Sequence, residues 1–407
     1  MTIHVRKTFR IIIVMLLFAT ALSFMDRQVL SISIIRIKDD LQITDTEYGL
    51  INTCFLISYS IMFALGGFLI DKYGSRLGLF FSVGFWSLAT FFHGICVNVY
   101  QFGFFRFLLG IGEGGCFPGA VKAVIEWIPK SKRAIANGIA IGGSAIGALV
   151  APPLCAFSLT YMNWRCLFFI VGIIGFLWVY FWYRITKSNK PIEENMTATQ
   201  NSSLKFHDLL LLIKNKDALI FMLIRFLLDP IFYFYMFWIP KYLNEVKGLS
   251  LNAIGNILWI PFLALGIANI IGGQLSDWIF RKTKSVNYAR EISMGIAALL
   301  TIPVMFVNLF DSSISIIVVM ALAFFAHGFW ITNYITSISD VFGKMYSSSV
   351  VGLSGTVGAI SSLVINALIG LIISNYTYVP LWIYCGIMYP ISFVIFYFYY
   401  RKKVLIL

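Results

Sequence analysis

Gly66-Gly67-Phe68-Leu69-Ile70-Asp71-Lys72-Tyr73-Gly74-Ser75-Arg76-Leu77-Gly78 is the stretch on which the fold turns. It ends one apolar run and starts another, so the chain leaves its apolar surroundings for only a few residues, with an acid, two bases and glycines at the exit. The pattern recurs: Gly273 and Asp277 are followed by Arg281, Lys282 and Arg290, and Asp277 lies half a chain length beyond Asp71. Glycine lets neighbouring helices approach closely, and an aspartate at a helix end beside cations can latch one conformation. One copy also has a plainer reading, a basic loop that happens to hold glycines. Two copies at half-length spacing read as an internal repeat, in which Gly67, Asp71, Lys72, Gly74, Arg76 and Asp277 form a gating motif.

Outward from this motif the chain is mostly apolar. Of 407 residues, 59% are hydrophobic and 12% are charged, and the mean hydropathy is +0.85. That leaves too little polar surface to coat a soluble particle of this size, which excludes ordinary soluble enzymes and disordered or collagenous chains. A helix needs about 20 apolar residues to cross a bilayer. Twelve such spans are predicted, centred near Thr20, Ile57, Phe85, Gly112, Ala145, Gly175, Tyr233, Leu263, Ala298, Phe324, Gly358 and Met388. The first follows Arg6, Lys7 and Arg10 but lacks a small-residue cleavage site, so it reads as a span rather than a signal peptide. A polar stretch, 187–216, separates spans 6 and 7 and divides the chain into 1–186, a cytoplasmic linker 187–216, and 217–407. The expected fold is therefore all-α and integral to the membrane, with twelve transmembrane helices in two pseudo-symmetric six-helix bundles.

The net charge of +13 comes from short basic clusters between the spans. With both termini in the cytoplasm, about 22 Lys and Arg lie inside and about five outside (Arg36, Lys38, Arg165, Lys241, Lys247), which sets the orientation and needs no nucleic acid to explain it. The six cysteines read as small packing residues and the four histidines are too dispersed for a metal site. There is no HExxH and no GxSxG, so neither an enzyme nor a cofactor is expected.

Six charges fall well inside spans: Asp26, Arg27, Arg106, Glu113, Arg225 and Asp229. Each costs roughly 2.5–3.5 kcal/mol at mid-bilayer, so each requires a partner or a task. Arg106 and Glu113 are two helical turns apart and share a face. Gly110, Gly112, Gly114 and Gly115 thin that helix for a ligand or for another helix. Asp26 and Arg27 are adjacent and point in different directions, while Arg225 and Asp229 at i, i+4 can pair with each other. Two readings stand. The six are structural ion pairs, or they build a pocket in which guanidinium forks bind a carboxylate and buried carboxyls carry protons. In span 10, His327, Trp330 and Tyr334 share a face with Asn333 at its margin; they read as a wall for sugar hydroxyls or as packing. Gly138, Gly142, Gly143 and Gly147, with Gly352, Gly355 and Gly358, mark close helix approach, and Pro152-Pro153 is expected to end or kink span 5.

Six plus six spans around the motif at 66–78 resemble the major facilitator superfamily. Four further strings narrow the resemblance: Met25-Asp26-Arg27-Gln28; Arg106 to Glu113; Arg225-Phe226-Leu227-Leu228-Asp229-Pro230 with Phe237-Trp238-Ile239-Pro240-Lys241-Tyr242; and His327-Gly328-Phe329-Trp330 with Thr332-Asn333. Together they are similar to the anion:cation symporters, closest to the hexuronate transporters. The resemblance implies proton-coupling carboxylates at Asp26 and Glu113, cavity arginines at Arg27 and Arg106, and a substrate-contacting tyrosine at Tyr59. It also implies transport of a small organic anion, a hexuronate first, together with a proton; a short N-terminus without a targeting signal suits a bacterial inner membrane, and a monomer is expected. Aldonates, glucarate or another monocarboxylate would use the same arginines, and an organic-anion exchanger would share the architecture. One departure is that the acidic residue such relatives carry in span 8 near Gly266 is absent from Ala264 to Asn269.

Overall fold

The computed structural model describes residues 3–129, 133–189 and 212–402. Most of the linker expected at 187–216 lies outside them, as does the side chain of Asp71. The helices are α1 (Ile3–Leu41), α2 (Asp45–His93), α3 (Val99–Gly114), α4 (Cys116–Trp127), α5 (Arg133–Tyr161), α6 (Trp164–Ser188), α7 (Lys216–Glu245), α8 (Leu251–Ile257), α9 (Trp259–Thr283), α10 (Val286–Thr301), α11 (Ser313–Tyr376) and α12 (Val379–Tyr400), with a 3-10 helix at Ile302–Leu309. Among the described residues, eleven helices are long and apolar enough to cross a membrane. The span expected near Ile57 is the first arm of α2, which is helical from Asp45 to a kink at Gly74. Two compact units result: Met1–Ser203 with Ser250–Asn256, and Leu204–Leu249 with Ile257–Leu407.

Capping explains where the chain turns. Thr44 caps α2 in a reciprocal box with Glu47, each satisfying the other's backbone N–H. At the inner turn of the motif Gly74 takes φ 79°, a left-handed conformation that costs glycine nothing, and the two arms of α2 continue on either side. The second copy turns differently: α9 ends on Lys284 at φ 55°, whose N–H caps the Phe280 carbonyl. Two cations expected from sequence on the outer side close helix ends, where the dipole favours them. Arg165 donates to the Gly94 and Cys96 carbonyls at 3.1 and 2.7 Å, and Lys247 donates to those of Asn308 and Phe310 at 3.1 and 2.8 Å. Lys241, assigned from sequence to an outer loop, is instead buried in α7 and paired with Glu245 one turn on.

Glycines set the packing of the first unit. A Cβ on Gly110 would overlap Phe55 and Ser58, one on Gly112 the backbone of Trp86, and one on Gly114 Met62. The glycine run of span 4 therefore seats α3 against both arms of α2, which resolves the choice between ligand and helix in favour of a helix. Gly143 and Gly147 do the same for α5 against the Leu17 and Ala21 carbonyls of α1, and Thr20 donates to the Ala140 carbonyl at 2.5 Å. Gly138 and Gly142 have nothing within 4 Å. Pro152 and Pro153 do not end the helix: α5 runs on to Tyr161. Two missing amide donors are tolerated where the remaining turns and the neighbouring helices satisfy the freed groups.

Each unit carries a latch that ties its first inner turn to the inner end of the fourth helix of that half. In the first, Ser75 donates to Glu126 from its N–H (3.2 Å) and hydroxyl (2.6 Å), and Trp127 Nε1 donates to the Ser75 hydroxyl at 3.3 Å. In the second, Arg290 Nε meets Asp340 at 2.8 Å, Arg290 Nη1 donates to Ser276 at 2.6 Å, and the Tyr400 hydroxyl donates to Asp340 at 3.1 Å. Asp277, the sequence's choice for this latch, is exposed; its neighbour Ser276 is the buried member. Glu126 and Asp340 escaped notice because each lies more than 50 residues from the turn it fixes.

Candidate functional site

α1 delivers Asp26 and Arg27 to the interior of the first unit, α3 delivers Arg106 and Glu113, and α2 delivers Tyr59 from one arm and Thr90 from the other. All are buried. Arg27 Nε lies 2.7 Å from Glu113 Oε2, and the Ser23 hydroxyl donates to the same oxygen at 3.0 Å. Three rings frame the Arg27 guanidinium, at 4.6 Å for Tyr59, 4.8 Å for Phe24 and 5.3 Å for Phe55. Phe55 also lies 5.3 Å from the Arg106 guanidinium, so one ring separates two cations, each attracted to the negative face of its π system.

Asp26 points the other way round α1, as adjacent helical residues must, and accepts from the Thr90 hydroxyl at 3.0 Å. Glu113, Arg106 and Arg27 all act on its charge. Arg106 is 1% exposed, and its Nε and Nη2 make no hydrogen bond. A buried guanidinium with two open donors and a buried carboxylate with an open Oε1 at Glu113 leave this cluster balanced in charge but short of hydrogen bonds. Such a cluster can exchange an internal carboxylate for an external one at little electrostatic cost. Phe55, Ser23 and Thr90 were missed from sequence, since apolar and hydroxyl residues in a span carry no signal until a charge is found beside them.

The second unit is built otherwise. Arg225 Nε and Asp229 Oδ1 meet at 2.7 Å, the pair expected from the i, i+4 spacing. A Cβ at Gly358 would overlap the Asp229 carboxylate, so that glycine of α11 makes room for the acid. His327 Nδ1 and the Tyr389 hydroxyl are 2.5 Å apart, and Phe232 stacks on the imidazole at 4.6 Å and 10°. Trp330 stands edge-on to Tyr389 at 5.6 Å.

The expected wall is therefore only partly assembled. Asn333 leaves it, donating to the Gly272 and Phe329 carbonyls at 3.1 and 2.9 Å, because Gly272 brings α9 close enough to present its carbonyl to α11. Tyr334 leaves it too, donating to the Phe221 carbonyl at 2.7 Å. Tyr389, from α12, takes their place beside His327 and Trp330, and its position 62 residues away hid it from a reading of span 10. His93 is buried with Nδ1 2.7 Å from the Ala89 carbonyl and its ring stacked on Phe168. No group of three or more metal-ligating side chains occurs among the described residues.

Known proteins resemble this chain along nearly its whole length. A hexuronate transporter of Bacillus subtilis (strain 168) is 29% identical over 372 residues, covering 89% of this chain and 88% of that protein. A probable galactarate/D-glucarate transporter, GarP of Escherichia coli (strain K12), is 27% identical over 397 residues, covering 90% and 88%. A D-galactonate transporter of Escherichia coli O6:H1 is 25% identical over 396 residues, covering 91% of each. Among solved structures, a bacterial homolog to the human lysosomal transporter Spinster superposes with a TM-score of 0.80 and the D-xylose-proton symporter with 0.72, each at 17% identity and covering 97% of both chains. The family model of the Major Facilitator Superfamily matches residues 16–366. With its apolar spans, its buried charges and this match over most of its length, the chain belongs to the Major Facilitator Superfamily and is a multi-pass membrane transporter, not an enzyme.

Proposed function

We propose that the protein is a proton-coupled symporter of a small sugar acid, a hexuronate first, working by alternating access. The observation that carries this reading is the buried ion pair of Arg27 and Glu113, 2.7 Å apart beside Asp26 and framed by Tyr59. A guanidinium already presented to a carboxylate is the group a carboxylate substrate needs. Protonation of Glu113 neutralises the internal partner and frees one fork of Arg27 for the substrate carboxylate. Asp26, held by the Thr90 hydroxyl, takes up a further proton. Arg106 contributes positive charge to the same cluster; within the second unit, His327, Trp330 and Tyr389 group hydrogen-bonding and stacking side chains of the kind that suit sugar hydroxyls and C–H faces. Release of the protons on the other side restores the Arg27–Glu113 pair and expels the anion.

The substrate class draws support from the relatives, whose names are those of hexuronate, galactarate/D-glucarate and D-galactonate transporters. In this reading the working bodies are 1–186 and 217–407 joined by the linker 187–216, the protein acts as a monomer in a bacterial inner membrane, and the turns at Gly74 and Asp277 belong to its gating machinery. The test is uptake of radiolabelled glucuronate into proteoliposomes, with and without an inward proton gradient, beside galactonate and glucarate. Gradient-driven accumulation of glucuronate supports the reading in full. Accumulation of another of these acids alone replaces the substrate, and movement only against a counter-substrate inside replaces symport by exchange.

A further inference from the structure

The first unit holds a cavity of about 670 Å³ that plays no part in the site above. It runs along the second arm of α2 beside α6, and its walls include Tyr73, Leu77, Phe80, Phe81, Phe85 and Phe176. It is almost wholly apolar and open on one side, and Phe81 and Tyr73 are 65% and 56% exposed. A lipid-facing surface needs no groove to be wetted by acyl chains. What sets this one apart is its inner end, where it meets the basic turn of the gating motif.

Cations are tied to the groove wall through aromatic rings. Lys72 Nζ sits 5.3 Å from the ring of Tyr73, itself a wall residue. Phe80, another wall residue, packs at 5.7 Å against Tyr183 of α6. Tyr183 in turn carries Arg76 at 5.7 Å and Lys187 at 5.5 Å, and Arg184 lies 6.0 Å from Tyr180 one turn earlier. Among the described residues no carboxylate pairs with Lys72, Arg76, Arg184 or Lys187. Among the described side chains near this turn, the Glu126 carboxylate is occupied by Ser75. Arg76 Nε is buried and makes no hydrogen bond. The charge distribution places this end of the groove at the cytoplasmic interface, where anionic headgroups are concentrated and each nearby Lys or Arg contributes attraction.

We propose that this groove is a binding site for one anionic phospholipid, its phosphate held by Arg76 and Lys187 over Tyr183 and an acyl chain lying along Phe80, Phe81 and Phe85. An apolar slot of this volume takes a chain; four cations without described carboxylate partners at one end select the headgroup. Asp26, Arg27, Arg106 and Glu113 do not line it, so lipid retention is read separately from transport, although Lys72 and Arg76 also belong to the gating motif.

The test uses the purified full-length protein in mixed micelles with palmitoyl-oleoyl phosphatidylglycerol or the matching phosphatidylcholine, with retained lipid counted by native mass spectrometry. The expected result is one retained phosphatidylglycerol per chain, preferred over phosphatidylcholine by about thirtyfold, on the scale of two interfacial cations. Arg76→Gln with Lys187→Gln brings the preference close to parity. Gly84 lines the groove, and a Cβ there meets Val179 only at 3.9 Å, so the position admits a side chain, and Gly84→Leu, by filling the slot, reduces retention of both lipids. Equal retention of the two lipids by the unaltered protein overturns the proposal, as does an unchanged preference in the double variant. Displacement of phosphatidylglycerol by millimolar inorganic phosphate also overturns it, by reducing the site to a surface anion patch.

Discussion

The two units answer the same problem, polar groups inside a membrane helix bundle, in opposite ways. The first concentrates Asp26, Arg27, Arg106 and Glu113, contributed by different helices, and leaves Arg106 Nε, Arg106 Nη2 and Glu113 Oε1 without hydrogen bonds. The second pairs two charges within one helix turn, Arg225 with Asp229, and adds neutral polar groups, His327, Tyr389, Trp330 and Asn333, of which Asn333 Oδ1 also makes no hydrogen bond. An ion pair within one helix survives any movement of that helix. A pair between helices, such as Arg27–Glu113, depends on how those helices are placed and on what else competes for the guanidinium. In the proposed reading, ion coupling and carboxylate binding fall to the charges of the first unit, and the part of the second unit is decided by its own variants.

The hardest blow to that contrast would fall on Arg27. Arg27→Ala is expected to lower sugar-acid uptake by about 100-fold, since truncating one member of a buried charge pair costs about 2–5 kcal/mol, and Arg27→Lys should recover little because an ammonium lacks the fork. Initial rates in proteoliposomes decide this, and near-normal uptake by Arg27→Ala would remove the first unit's role. Next come Glu113→Gln and Asp26→Asn, which should abolish accumulation above the external concentration while leaving exchange of internal for external substrate; loss of both activities together would mean that the carboxylates only hold the fold. In the second unit Asp229→Asn is expected to act on stability, by about 3 kcal/mol for a buried pair left with one charge, seen as a melting temperature several degrees lower in detergent. A melting temperature that holds while uptake collapses would move Arg225 and Asp229 into the transport machinery.

Smaller effects sharpen the comparison. Tyr389→Phe removes one hydrogen bond, worth about 1 kcal/mol, and should raise KM about fivefold with proton coupling intact. Loss of gradient-driven accumulation in that variant would erase the division of labour between the units. Asn333→Ala should leave KM unchanged and lower stability by about 1 kcal/mol, because its amide serves the Gly272 and Phe329 carbonyls. A raised KM without loss of stability would return Asn333 to the substrate wall.

Much of this was legible in the sequence. The spans follow from length and hydropathy, the glycine turn at Gly74 from the motif, and the Arg225–Asp229 pair from helical spacing. These are local quantities, fixed by residues within a turn or two of each other. The glycine run beside Glu113 announced a close approach but left open whether ligand or helix would fill it; α2 fills it. Of the two outcomes expected for Pro152-Pro153, an end to the helix does not occur, since a proline signal speaks to one turn and a long membrane helix has many others to hold it.

The composition and order of residues by themselves determined that this chain lives in a bilayer, that it is built from apolar helices with an internal repeat, and which charges are out of place there. Only the tertiary structure decided which of those charges meet. Arg27 and Glu113 are 86 residues apart, Asp26 and Thr90 64, His327 and Tyr389 62. No periodicity along one helix reports on the rotation and depth of another, and it is the packing of small residues such as Gly110, Gly143 and Gly358 that sets both. The partner of a buried charge is therefore a property of helix packing, while its presence is a property of the sequence.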